Sequence, residues 1–367
     1  MCSDRSLRSA LFLVVVFSGV RAVASPEVPL GLPPFAAPTQ GAGLAALGKE
    51  LFFDKRLSID GSVSCGTCHL PERLFTDGRS TARGLHHRPL TRRTPSLLNI
   101  RYATSLFWDG RAPDLETQVR SPLLAPAEHG LANEREVARI VQSAPGYAAA
   151  FESLMAVPRE KIGIAEVGSA IAAYERTLVA GDSPFDRYEY GREPSAMGAA
   201  AIRGLGLFRG RARCASCHSL GEKDALFTDG RFHASPLQMR QGTLEQLGSL
   251  AKQVADFRKQ GKYDALSALV ASDADVAALG RFIVTLDPKD ISSFKTPSLR
   301  NIALTGPYMH DGSVATLAEA VNLELYSRSS QRYPLVLSQE EQSDLLQFLA
   351  ALSSPDEPDP ALSSDKR

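Results

Sequence analysis

Neither sign of charge dominates this chain: 41 Lys and Arg stand against 41 Asp and Glu in 367 residues. Such a balance points to neither a nucleic-acid binder nor a strongly acidic partner. Long apolar runs are missing too, except at the N-terminus. There, basic Arg5 and Arg8 precede an apolar run from Ala10 to Val20, which ends on Ala22-Val23-Ala24. This is the layout of a cleaved signal peptide over 1–24. The run is short for a bilayer span, and a retained anchor is the alternative. The expectation is a periplasmic, exported bacterial protein with no membrane span in the mature chain. Long alternating strand patterns are absent. Tryptophan occurs once, at Trp108, and cysteine five times. Cys2 falls in the signal segment, so only Cys65, Cys68, Cys214 and Cys217 remain. None is left over to join distant elements by a disulfide.

What is present is mostly helical. The stretches starting at Gly43, Glu134, Ala165, Ser195, Asp273 and Ser338 carry apolar residues at helical spacing. Residues 25–40 are rich in Pro and apolar side chains and read as an extended leader on the surface. The tail over 353–367 reads as disordered.

An internal repeat organises the rest. TPSLLNIRYATSLFWDGRAPDLETQV from Thr94 aligns without a gap on TPSLRNIALTGPYMHDGSVATLAEAV from Thr296. FTDGR also recurs, at Phe75 and Phe227, each time after a Cys-x-x-Cys-His. The order of motifs is therefore duplicated. It implies two homologous domains, 41–185 and 186–352, the second enlarged by a polar helical stretch over 238–275.

CGTCH at 65–69 and CASCH at 214–218 are haem-attachment patterns: two thiols add to the haem vinyl groups and the next His reaches the iron. Two small disulfides, a redox pair or a four-cysteine zinc site are the other readings. All leave His69 and His218 unexplained. The sixth iron position decides between electron transfer and peroxide chemistry. No methionine is an obvious ligand there. Met155 reads as core, Met197 and Met239 have no haem context, and Met309 sits beside His310.

Together these motifs resemble the bacterial dihaem cytochrome c peroxidases and, equally, MauG, the maturation enzyme of methylamine dehydrogenase. The resemblance runs from about 44 to 351 and is weakest over 232–278. It implies two cytochrome c-like domains, each with one covalently attached c-type haem. The first haem, with His69 as proximal ligand, would be the site of hydrogen peroxide chemistry. The second, on His218, would relay electrons. Trp108 would lie between them, and in the repeat it aligns with His310. The distal groups fall on Gln118, Pro122 and Glu128. Glu128 is suited to take a proton from peroxide and return it to the leaving oxygen. His233 matches a family His near the second haem, and His129 reads as a surface residue.

The chain departs from the family in three places. The distal His of the peroxidases is replaced by Leu85; His86, one residue on, is the candidate substitute, and otherwise that iron is open. The second haem's sixth-ligand position is Glu324, where the relatives carry Met or Tyr. Tyr326 is two residues on and should face away on a helix. Calcium between the haems would use the carbonyls of Thr305 and Pro307, but Arg93 stands in the Asn position. A guanidinium cannot ligate calcium, though it could occupy the site electrostatically. The expected function is peroxide reduction with electrons from a small donor protein, a cytochrome c or a cupredoxin. One alternative is MauG-like oxidation of a residue on a partner protein; the other is a non-catalytic electron carrier.

Overall fold

The computed structural model describes residues 28–35, 41–237, 239–330 and 333–355. The signal segment expected over 1–24, with Cys2, lies outside them, as does most of the expected tail. None of the described helices is long and apolar enough to cross a membrane.

Helices dominate. The first half contains α1 (Gly41–Phe53), α2 (Cys65–Cys68), α3 (Leu115–Gln118), α4 (Arg120–Leu124), α5 (Glu134–Ser143), α6 (Pro145–Met155) and α7 (Ile164–Glu175). Then come α8 (Pro184–Glu189) and α9 (Ala199–Arg209). The stretch that lengthens the second half forms α10 (Gln241–Glu245), α11 (Leu247–Lys259), α12 (Tyr263–Ser272) and α13 (Ala274–Ala277). The chain closes with α14 (Phe282–Thr285), α15 (Leu317–Arg328) and α16 (Gln339–Ala350). Two three-residue strands, β1 (Phe232–Ala234) and β2 (Ser293–Lys295), pair antiparallel with His233 opposite Phe294. The apolar stretch from Asp273 does not make one helix. Gly280 adopts φ +60° and separates α13 from α14.

Two helix pairs carry the main cores, and both are built alike. In α1, Leu44, Leu47 and Leu51 repeat at helical spacing and are buried against α7. Each such leucine contributes roughly 1.5–3 kcal/mol on leaving water. A glycine sits at the contact: a methyl group added at Gly48 would lie 1.8 Å from the carbonyl oxygen of Ala170. The pair α9 and α16 repeats this with Gly204, where the methyl would lie 2.0 Å from the Asp344 carbonyl. Met155 packs on the first core, Met197 is buried in the second, and Met239 packs on a third formed by α11–α14.

The aligned motifs also match in backbone detail. Positive φ recurs at Phe75 and Phe227, Asn99 and Asn301, Phe107 and Met309, and Gly110 and Gly312. Leu106 bridges to Ala112 as Tyr308 does to Val314.

The segment 28–35 is not merely a surface leader, as its composition suggests. Leu32 is buried. The Gly31 carbonyl accepts from Arg300 Nη2 at 2.6 Å and from the Ala225 amide at 3.0 Å. Tyr102 donates to the Pro33 carbonyl at 2.9 Å. Arg300 also forms a fully buried two-point pair with Asp186, at 2.8 and 2.9 Å. A short apolar stretch with a left-handed glycine (φ +82° at Gly31) thus becomes a strap joining both halves.

Candidate functional site

Each Cys-x-x-Cys-His stands on a short helical turn whose histidine is aimed by the fold. His69 Nδ1 lies 2.9 Å from the Phe75 carbonyl, and His218 Nδ1 lies 2.9 Å from the Phe227 carbonyl. A carbonyl only accepts, so Nδ1 carries the proton and Nε2 is left as a ligand. Burial pushes both imidazoles below the ordinary histidine range, which also keeps Nε2 unprotonated. The TPSL motif supplies the next layer. The Ser96 hydroxyl donates to the Leu74 carbonyl at 2.6 Å, and Ser298 donates to Leu226 at 2.7 Å. Each serine braces the residue before the histidine's acceptor. Sequence alignment shows the motif twice, but only the fold shows its purpose.

The four thiols are free. Burial raises Cys65, and it lifts Cys68 to about 12 and Cys214 to about 11. Among the described residues, no cluster of metal-ligating groups joins the two pairs. The zinc reading therefore fails, while a pair of thiols beside an oriented imidazole fits haem at each site.

A cavity of about 510 Å³ opens at the second site. Cys217, His218, His233, Met309, Glu324 and Arg328 face it. Glu324 pairs with Arg328 at 3.0 Å, while Tyr326 is 81% exposed and points away, as the helical geometry requires. His233 Nε2 is 2.7 Å from Asp229. Trp108, from the first half, lines the same cavity, as does His310. The His310 ring stacks on Phe294 at 3.7 Å, and burial pushes its pKa down to about 4.

Arg93 knots this junction. Its guanidinium donates to the Thr305 carbonyl, its amide donates to the His310 carbonyl at 3.0 Å, and its own carbonyl accepts from Trp108 Nε1 at 3.3 Å. Thr305 is one of the two carbonyls expected to bind calcium, with Pro307. A buried cation already occupies it, so the residues here do not fit a calcium ion.

At the first site, α3 and α4 carry Gln118 and Pro122, and the turn after them carries Glu128. The Glu128 carboxyl accepts no hydrogen bond from the described residues. Burial raises its pKa, opposed by the nearby Arg111 charge. Its charge also acts on the Cys65 and Cys68 thiols, so it lies near the first attachment turn. Leu85 is buried, and its amide donates to the Ala127 carbonyl at 3.1 Å. Two expectations need correction. His86 does not turn in to serve as a distal ligand: it adopts φ +54°, is largely exposed, and lies 3.7 Å from Asp60. His129 is not a surface residue. It is 4% exposed, with Nδ1 2.7 Å from the Leu57 carbonyl, so it is a neutral core histidine that pins the Glu128 turn.

A helical scaffold that aims two half-buried imidazoles beside paired thiols, with an unpaired carboxyl near one of them, fits a haem oxidoreductase. Comparison with known proteins agrees. The family model for di-haem cytochrome c peroxidase matches residues 42–194. MauG of Methylorubrum extorquens is 40% identical over 84% of this chain and 78% of its own. Cytochrome-c peroxidase IdrP1 of Denitromonas iodatirespirans is 35% identical over 95% of this chain and 93% of its own. A crystal structure of a MauG-like protein associated with microbial copper homeostasis superposes with a TM-score of 0.71. It is 31% identical and covers 90% of this chain and 95% of that one. The chain belongs to the dihaem cytochrome c peroxidase and MauG family.

Proposed function

We propose that the protein is an exported, periplasmic dihaem c-type peroxidase built by internal duplication, its two domains spanning 41–185 and 186–352. It converts H2O2, two protons and two electrons to two molecules of water. Electrons enter at the His218 site from a small redox protein, a cytochrome c or a cupredoxin. Thioether bonds form at Cys65, Cys68, Cys214 and Cys217. Bound haem supplies the peroxide-binding iron and the redox capacity; the protein does the rest.

Glu128 takes a proton from peroxide and delivers it to the departing oxygen. Its raised pKa suits that exchange, because a strongly acidic carboxylate holds a proton too weakly. Gln118, whose amide has no partner among the described residues, orients the substrate. Trp108 reaches from the first half into the second cavity, and this observation carries the two-site reading. Arg93 fixes its indole.

The second reading is peroxide-driven oxidation of a partner protein. It is favoured by Glu324 where peroxidases carry Met, by Leu85 at the distal position, and by the MauG relative. Steady-state assay of the holoenzyme with reduced cytochrome c or a cupredoxin separates the two. Turnover dependent on Glu128, lost by at least ~100-fold in Glu128→Gln, is expected. Negligible turnover in wild type with every donor would favour the second reading.

A further inference from the structure

The inserted helices α10–α13 belong to the second half by sequence, yet they pack against the first site. Arg120 on α4 forms a two-point pair with Asp264 on α12, at 2.9 and 2.6 Å. Thr91 Oγ1 donates to the Val270 carbonyl at 2.6 Å, and Arg92 Nη2 to Ala277 at 2.7 Å. Between these ties lies Ser267. It is buried, and its Oγ accepts from Arg111 Nε at 3.1 Å and from Ser121 Oγ at 3.3 Å. Ser121 precedes Pro122.

Arg111 is held on three sides. Besides Ser267, it contacts both oxygens of the fully buried Asp109, at 3.1 and 3.0 Å, and lies 3.5 Å over the Phe107 ring. Arg92 also binds Asp109, at 2.7 Å. Two guanidinium groups therefore share one carboxylate, and one positive charge is left over. Glu128 is the second acid that Arg111 acts upon. With Glu128 ionised, the four groups are neutral. Near Glu128 also lie Cys65 and Cys68, which thioether formation would remove, and the buried His129, whose ring faces the Leu57 carbonyl.

We propose that Ser267 is a positioning residue for the first site. From the inserted module it fixes the Arg111 guanidinium on the distal side while also holding the turn that carries Pro122. A preoriented cation favours charge developing on a departing oxygen and on any anion bound at the same place. A serine hydroxyl is well suited here, being small enough for a helix–helix contact and able to accept two donors.

The inference rests on the peroxidase reading, and the test keeps the two apart. The oxidised holoenzyme is titrated with fluoride, which needs no turnover, and kcat/KM for peroxide is measured separately. Ser267→Ala is expected to weaken fluoride binding and to lower kcat/KM for peroxide, each by roughly tenfold, with the KM for the electron donor unchanged. Ser267→Thr, which keeps the hydroxyl, is expected to restore both. Lys252→Ala, on the exposed face of α11, controls for damage to the module. Wild-type fluoride affinity in Ser267→Ala overturns the proposal, as does a fall in thermal midpoint with fluoride affinity intact. If wild type turns over no peroxide, the peroxidase reading fails while the fluoride result still decides the role of Ser267.

Discussion

Arg93 takes the place of a bridging ion. Its side chain, amide and carbonyl each bind a different partner at the junction of the two halves. Calcium is therefore expected to be irrelevant to the wild type: neither chelator nor added calcium should move its thermal midpoint or Trp108 fluorescence. Arg93→Asn removes the fixed charge and should lower the midpoint, with part of the loss recovered by calcium. Calcium retained at one ion per chain after exhaustive dialysis of wild type would refute this. The histidines mark where sequence reasoning runs out at this scale. His69 and His218 are legible because covalent attachment needs Cys-x-x-Cys-His within one turn. His86 and His129 are not, because each is placed by a partner more than 25 residues away, Asp60 and Leu57.

At the scale of the element, helices α1, α5, α7, α9 and α16 follow from apolar spacing alone. The same spacing misses the break at Gly280, since a left-handed glycine leaves no trace in hydropathy. It also misses a burial cost on α7. Glu175 is 5% exposed, its Oε2 has no partner, and burial raises its pKa to about 8. The folded chain thus binds this proton more tightly than the unfolded chain, where the carboxyl titrates near 4.3. Stability is therefore greatest below the unfolded pKa and declines as pH rises toward about 8. Glu175→Gln keeps the shape and removes the titration. It should stabilise the protein at pH 8 by roughly 1–3 kcal/mol and leave it nearly unchanged at pH 4. Denaturant unfolding at the two pH values checks this, and equal effects at both would show that Glu175 does not titrate in this range.

For the whole molecule, the repeated motifs were readable in the sequence, whereas the contacts that join the segments carrying them were not. The inserted module crosses to the other half through the Arg120–Asp264 pair and through single groups such as the Ser267 hydroxyl and the Val270 carbonyl, which no spacing announces. The N-terminal strap is similar. Its composition suggests a surface segment, but Gly31 sits where an added methyl would lie 1.8 Å from Asp186 Oδ1, against the buried pair with Arg300. Gly31→Ala should therefore cost roughly 1–3 kcal/mol through overpacking and left-handed strain. Both halves should lose stability in one cooperative transition. Two separated transitions in calorimetry, with only the first half affected, would show that the strap does not join them.

The strap also bears on the order in which the chain can mature. Residue 31 completes its contacts only with residues 225 and 300. Contacts of such long range form slowly, so the strap is expected to settle late. Until then both Cys-x-x-Cys-His turns belong to an unfinished molecule whose thiols are not yet sealed among packed side chains. If haem is attached at these turns, as proposed above, that interval is when the thiols are open to it, and closure of the strap ends it.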